Sequence, residues 1–249
     1  ESRVYITLTG INYDDLQNYI YVSENYGENW RNLKANLPNE IANVIYEDPI
    51  YEEILYAGLY RGVYCSFDRG ETWSLLGRNL AASCISDLII QEDTMDLVAG
   101  THGRGIYKIN LKPVHEAFKM GFPLQEDHIF TIPKARMPLI NDTHPNPDNK
   151  TVEKVPITFW MTRDETVTIK VINDEDDILW SIPFKARTGF NQYRWDLVTK
   201  QVESPLPYFI HYKKFVGEGC YRVIIETSMT ELESALVVTS GSTPNENLP

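Results

Sequence analysis

Ile20-Tyr21-Val22-Ser23-Glu24-Asn25-Tyr26-Gly27-Glu28-Asn29-Trp30 recurs 43 residues later as Val63-Tyr64-Cys65-Ser66-Phe67-Asp68-Arg69-Gly70-Glu71-Thr72-Trp73. A third copy begins at Ile106-Tyr107, 43 residues further on, and lacks the Ser, Asp, Gly and Trp of the second. Working outward, Ile54-Leu55-Tyr56-Ala57-Gly58 matches Asp96-Leu97-Val98-Ala99-Gly100, and Asn36-Leu37-Pro38 matches Asn79-Leu80-Ala81. Asn43-Val44-Ile45 likewise pairs with Asp87-Leu88-Ile89. Short apolar runs with a period in the low forties are the signature of a four-stranded unit that buries its faces against copies of itself, the blade of a β-propeller.

In the second copy the pattern predicts strands at Ile41–Tyr46, Ile54–Leu59, Val63–Phe67 and Trp73–Leu76. Asp48-Pro49, Arg61-Gly62 and Asp68-Arg69-Gly70-Glu71 supply the turns. In Ser-x-Asp-x-Gly-x-Thr-Trp, the carboxylate and hydroxyls exchange hydrogen bonds within a tight hairpin. Gly supplies a positive φ and Trp plugs the hairpin into the core. This string resembles the Asp-box of BNR repeats, found in sialidases, sortilin-type receptors and related propellers. Ser66, Asp68, Gly70, Thr72 and Trp73 match fully. The first copy keeps Ser23, Gly27 and Trp30 but has Asn25 for Asp and Asn29 for Thr, which predicts a weaker hairpin. Asp68 and Glu71 could be read as a catalytic carboxylate pair; the resemblance places such boxes at the blade edge, far from the central channel, and implies a structural role.

The resemblance extends from Val4 to Asn110, which looks like the closing blades of large secreted bacterial proteins with sortilin-like BNR propellers. Many of those carry the label "glycosyl hydrolase". Asp87-Leu88-Ile89-Ile90, followed by Leu97 to Tyr107, is similar to the way such propellers end.

From Lys112 to Val155 the pattern stops, and prolines at 113, 123, 133, 138, 145 and 147 punctuate an expected extended connector. An edge strand is expected near His128–Ile132. Asn141-Asp142-Thr143 and Asn149-Lys150-Thr151 fit the N-glycosylation pattern, expected to be unused in a bacterial protein. Strand signals resume at Pro156–Met161, Thr166–Asn173, Ile178–Pro183, Asn191–Leu197, Cys220–Thr227 and Glu233–Val238. Alternation at Val167, Ile169, Val171 and at Tyr221, Val223, Ile225 says that each strand buries one face of a β-sandwich. Gly189 to Leu197 and Gly219 to Val223 resemble the Ig-like module of the flagellar-hook-capping type; Pro205–Val216 is longer and more aromatic than that pattern. The acidic run Asp174-Glu175-Asp176-Asp177 lacks EF-hand spacing and reads as a solvated hairpin tip. The expected organisation is blades over 1–111, a connector over 112–154, an Ig-like sandwich over 155–239 and a disordered tail over 240–249.

Composition narrows the function. The 249 residues are 43% apolar and 12% aromatic, which excludes a disordered chain. A net charge of −12 argues against nucleic acid, whose phosphates need cations. No apolar run approaches the ~18 residues of a membrane helix. Cys65, Cys84 and Cys220 suit neither a disulfide scaffold nor a zinc site, the five histidines have no ligand spacing, and no metal or cofactor is expected. There is no GxSxG, P-loop or GxGxxG. A glycosidase pair of carboxylates cannot be selected from 35 acidic residues, and the chain is not expected to be catalytic by itself.

Arg61-Gly62 and Arg104-Gly105 occupy equivalent turns, on the face opposite the box hairpins. Tyr60, Arg61, His102 and Arg104 could therefore form a planar, bidentate site for carboxylate or sulfate groups. The alternative is that each Arg bridges to a neighbouring blade's carbonyls or carboxylates.

The fold expected is all-β: four-stranded propeller blades, an incomplete ring in this chain, plus an Ig-like β-sandwich. Fewer than three blades leave an apolar flank, so further blades are expected from the same parent chain or a partner. The favoured function is extracytoplasmic, non-catalytic binding or scaffolding of a protein or glycan. The rivals are the C-terminal part of a sialidase-like glycoside hydrolase with its catalytic residues upstream, and a subunit of a secretion or surface assembly.

Overall fold

The computed structural model describes residues 2–77, 80, 82–137, 154–199 and 215–240. Contacts divide the chain into two compact units, Glu1–Pro123 and Leu124–Pro249. The fold is all-β, as expected.

The first unit holds three antiparallel sheets. The first contains β1 (Val4–Gly10), β2 (Asp15–Ser23) and β3 (Arg31–Asn32). The second has all four blade strands: β4 (Ala42–Glu47), β5 (Leu55–Leu59), β6 (Val63–Ser66) and β7 (Ser74–Leu75). The third contains β8 (Ile85–Gln91), β9 (Asp96–Thr101) and β10 (Ile106–Asn110). β4 packs beside β1 on one side and β8 on the other, so the complete blade is the middle one. Its buried face joins Leu55, Ala57, Leu59 and Trp73 to Ile20, Val22 and Leu33 of the first sheet.

The hairpin after β6 is built as its sequence predicts. The Ser66 hydroxyl donates to Asp68 Oδ1 at 2.8 Å and accepts the Gly70 amide at 2.8 Å. The Thr72 amide and hydroxyl donate to the two Asp68 carboxylate oxygens at 2.8 and 2.6 Å. Burial works against this carboxylate, but the Thr72 and Ser66 donors outweigh it and hold its pKa below the usual 3.8. Both Asp68 carboxylate oxygens are thus engaged within the hairpin. Gly70 has φ +87°, and a Cβ there would lie 2.8 Å from Leu33 Cδ2. The hairpin thus rests directly on the first sheet, where Trp73, 4% exposed, donates its indole N–H to the Leu33 carbonyl at 2.9 Å.

The first-copy hairpin keeps the network with an amide in place of the carboxylate. Gly27 N donates to the Ser23 hydroxyl at 2.8 Å and Asn29 N to Asn25 Oδ1 at 2.9 Å. Trp30 departs from the expected core plug. It is 41% exposed and donates to its own hairpin's Gly27 carbonyl at 3.0 Å.

After Leu111 the chain forms helix α1 (Lys112–Lys119) where an extended connector was expected. Pro113 lies in the first turn, where a missing N–H costs no hydrogen bond, and Val114, His115 and Ala117 form the buried face.

The second unit is a β-sandwich. A three-stranded sheet contains β11 (His128–Ile129), β13 (Val155–Met161) and β16 (Gly189–Trp195). A five-stranded sheet contains β12 (Ala135–Arg136), β14 (Glu165–Ile172), β15 (Ile178–Ala186), β17 (Gly219–Glu226) and β18 (Glu231–Thr239). Val167, Ile169, Val171, Val223 and Ile225 from the larger sheet meet Ile157, Phe159, Met161 and Trp195 from the smaller. The acidic run closes the β14–β15 hairpin, with Asn173 Oδ1 accepting the Glu175 and Asp177 amides at 3.1 and 2.7 Å. The two glycosylation patterns, most of Pro205–Val216, Asn79, Ala81 and the tail after Ser240 lie outside the described residues.

Trp73→Ala is expected to destabilise the first unit by about 3–5 kcal/mol, as removal of a buried aromatic does. Trp30→Ala should cost less, because its indole is partly solvated and bonds only within its own hairpin. Denaturant melts of the two variants, side by side, check the ordering.

Candidate binding face

Three turns arrive at one end of the first unit because the three sheets repeat one register. Val4 pairs with Ser23 as Leu55 pairs with Ser66, and Ile20, Val63 and Ile106 lie opposite Thr7, Gly58 and Gly100. The β1–β2, β5–β6 and β9–β10 turns therefore all follow the second strand of their repeat. The inner strands β4 and β8 carry matching register shifts, between Ala42 and Val44 and between Ile85 and Asp87.

A row of hydrogen bonds ties these ends together. The Thr7 hydroxyl donates to the Asn43 carbonyl at 2.9 Å, and Asn43 Nδ2 donates to the Ile85 carbonyl at 2.8 Å. His102 N then donates to the Cys84 carbonyl at 2.9 Å, and the Ser83 hydroxyl to the His102 carbonyl at 3.2 Å. The first two bonds cross from sheet to sheet, and the two His102 bonds tie the β9–β10 turn to the start of β8 in its own sheet.

Tyr60 and Arg61 occupy the β5–β6 turn, and His102 and Arg104 the β9–β10 turn. All four are exposed. Tyr60 is 49% exposed. The Arg61 side chain is 72% exposed, with Nε 3.8 Å from Glu40 Oε1. Such a long, solvated pair contributes little to stability. Gly103 and Gly105, at φ +84° and +83°, flank Arg104, and nothing lies within 4 Å of a Cβ built on either. The Arg104 side chain is exposed, and Arg61 carries only the long pair to Glu40.

The sequence reading missed a larger feature of this end. Sixteen positions separate Val4 from Ile20, where eight separate the equivalent Leu55 and Val63. The extra residues lengthen the β1–β2 hairpin into an arm that reaches about 10 Å past the neighbouring turns, three residues at strand rise. Its root is pinned: buried Asn18 donates through Nδ2 to the Pro38 carbonyl at 2.7 Å. Lys34 Nζ donates to Gln17 Oε1 at 3.2 Å. Its outer part is apolar and solvated, with Leu8 53%, Ile11 51%, Tyr13 89% and Leu16 58% exposed. Comparing the spacings of the first and second copies would have found it.

The opposite end holds a buried cluster of ionisable groups. Asp48, 3% exposed, accepts from Tyr56 Oη at 2.8 Å and from the Ile50 and Tyr51 amides at 2.9 and 3.1 Å. His115 Nε2 of α1 sits 2.7 Å from Asp48 Oδ2, with the Tyr51 ring edge-on to the imidazole at 5.1 Å. Burial raises the cost of the Asp48 charge, yet His115 and the other donors keep its pKa below the usual 3.8. Tyr56 is pushed well above its usual 10.0, chiefly by burial. The arrangement ties α1 to the middle blade. On the rim, Arg3 bridges Glu24, Glu47 and Glu52 at 2.8, 3.1 and 3.0 Å, and Arg69 meets Glu52 and Glu53. Among the described residues no three His, Cys, Asp or Glu side chains gather as metal ligands would.

No family description matches the chain, and no curated protein matches it. Among solved structures it is similar to the GH74 enzyme of Niastella koreensis, with 14% identity and TM-score 0.36, covering 94% of this chain and 36% of that one. An ancestral GH74 enzyme follows at 12% identity and TM-score 0.32, with 95% and 34% covered. An extracellular domain from B. thetaiotaomicron gives 8% identity and TM-score 0.28, with 94% and 31% covered. The chain spans about a third of the length of these structures. No helix among the described residues is long and apolar enough to cross a membrane.

The depressed Asp48 pKa has a signed consequence. Its stabilisation is complete above the unfolded value near 4 and is lost as pH falls through the lower folded value. The first unit should lose stability below about pH 4, and Asp48→Asn should be less stable at neutral pH with a shallower acid limb. Urea melts between pH 3 and pH 7 check both.

Proposed function

We propose that this chain is a non-catalytic, extracytoplasmic binding module that recognises anionic groups on a protein or glycan through the turn face of its blades. The observation that carries the reading is the pair of repeated arginines: Arg61 and Arg104 stand exposed in equivalent turns of adjacent blades. They are unclaimed by any backbone carbonyl among the described residues, in a chain of net charge −12. Two exposed guanidiniums, one of them held only by a long pair to Glu40, with Tyr60 and His102 in the same turns, offer bidentate hydrogen bonds and an aromatic surface. The box hairpins at the other end fit the BNR pattern and act here as construction elements. The second unit fits an Ig-like spacer. The short outer sheets support the reading that further blades complete the ring.

The Arg61→Ala/Arg104→Ala double variant should keep its stability within about 0.5–1 kcal/mol, as surface substitutions do. It should lose at least tenfold in affinity for a polyanion such as polygalacturonate or heparin, in titrations at low salt. A large stability loss, or unchanged binding, contradicts the proposal.

A further inference from the structure

The third sheet stops one strand short of the middle one. β3 and β7 hold the outermost place in their sheets, whereas β10 ends its own. At the repeat of 43 residues, the segment equivalent to Trp73–Leu76 is Glu116–Lys119, and there the chain forms α1 instead. Buried His115, 2.7 Å from Asp48 Oδ2, holds that helix against the middle blade. The consequence shows at one position. Ile20 and Val63 are 0% and 5% exposed, but Ile106, which repeats them, is 77% exposed. The Ile20 and Val63 carbonyls accept the Leu33 and Leu76 amides of the outermost strands, each at 2.8 Å. In the third sheet, bonds from Thr101 N to the Gly105 carbonyl and from Leu111 N to the Met95 carbonyl frame β10. Odd-numbered residues between them therefore bond inward to β9, and Ile106 and Lys108 turn their N–H and C=O outward. No described strand pairs with that edge.

We infer that the outer edge of β10 takes an antiparallel strand donated by a different polypeptide, of the pattern Trp-x-x-Leu-x-x-Asn-Leu, whose first Leu amide donates to the Ile106 carbonyl. This rests on the reading that the three sheets are repeated blades and is independent of the arginine face. The same interface exists twice within the chain, so the occupant's chemistry can be read from the two segments already seated. Trp30-Arg31-Asn32-Leu33-Lys34-Ala35-Asn36-Leu37 and Trp73-Ser74-Leu75-Leu76-Gly77-Arg78-Asn79-Leu80 share the pattern. Leu33, Leu37 and Leu76 are 0%, 6% and 5% exposed, so these positions want an aliphatic side chain. Tyr21 pairs with Asn32 and Tyr64 with Leu75, which sets Tyr107 opposite the residue before the donated Leu. Strand addition of this kind draws affinity from main-chain hydrogen bonds and selectivity from the seats of alternate side chains. The chain has no third segment to offer. The residues three places after Trp160, Trp180 and Trp195 are Arg163, Pro183 and Val198. A second copy could donate only by opening one of its own sheets, where both matching segments are already paired.

The test uses the full chain and a fluorescein-labelled peptide with the sequence of Asn29–Pro38, followed by anisotropy and by amide hydrogen exchange of the chain. Two control peptides are a scrambled sequence and the same sequence with the Leu33 nitrogen methylated. The native peptide is expected to bind and to slow exchange at Ile106 and Lys108. The methylated peptide should bind about tenfold more weakly, the size of one backbone hydrogen bond, and the scrambled one not at all. Lys108→Pro removes an outward N–H from an edge strand, where proline is tolerated, and should abolish binding while circular dichroism stays unchanged. The methylated peptide keeps the test decisive if that variant does not fold. No binding of the native peptide, equal binding of the methylated one, or binding without protection at Ile106 and Lys108 overturns the inference. Protection of β10 that grows with chain concentration in the absence of peptide also overturns it, by assigning the edge to a second copy. The Arg61→Ala/Arg104→Ala chain should bind the peptide as the native chain does, so failure of the anion reading leaves this result standing, and loss of peptide binding there overturns the assignment to β10.

Discussion

Leu33 is the point on which the first unit depends. Its carbonyl accepts the Trp73 indole N–H, and its side chain occupies the space that a Cβ at Gly70 would fill. A local hairpin, closed by Ser66, Asp68 and Thr72, thereby becomes a contact between consecutive blades. Asn36 reinforces it from the same segment, bonding both the amide and the carbonyl of Trp73 at 2.7 and 2.9 Å. Without that contact the sheets are thin: the outer two have three described strands each, and small sheets are stable only when a face is packed.

The unit divides its work between its two ends. At the hairpin end lie Asp48 with His115 and Tyr56, the Arg3 and Arg69 carboxylate bridges, and the stacked Phe67–Phe122 rings at 3.8 Å. Charged and aromatic groups there are consumed by one another. At the turn end the cross-blade bonds run through backbone carbonyls and one amide side chain, Asn43. That leaves the side chains of Tyr60, His102 and Arg104 and the tip of the arm exposed, with Arg61 held only by its long pair to Glu40. A fold that secures itself at one end can present unpaired side chains at the other at little cost in stability.

How much of this was legible in the sequence follows from range. The hairpin was readable because Ser66, Asp68, Gly70 and Thr72 bond to one another within seven residues. The sandwich strands were readable because period-two alternation is local. Asp48 and His115 are 67 residues apart, and nothing in either neighbourhood names the other. Helix α1 was hidden because Pro113 reads as a break unless the helix start is known. Trp30 was misread because the motif fixes the hairpin, whereas burial of its indole depends on what lies beneath it. The arm is hidden because the repeated motif starts at Ile20, after the insertion, and spacing upstream of a motif carries no chemistry of its own.

The central claim is that ligands engage the turn end and leave the hairpin end untouched. Amide shift mapping of the isotopically labelled chain, titrated with a short acidic copolymer, addresses it directly. Perturbations are expected to cluster at residues 8–19, 59–63 and 101–106, with Ser66–Trp73 and Asp48 unmoved. Shifts concentrated at Ser66–Trp73, or confined to the sandwich strands of the second unit, would contradict it.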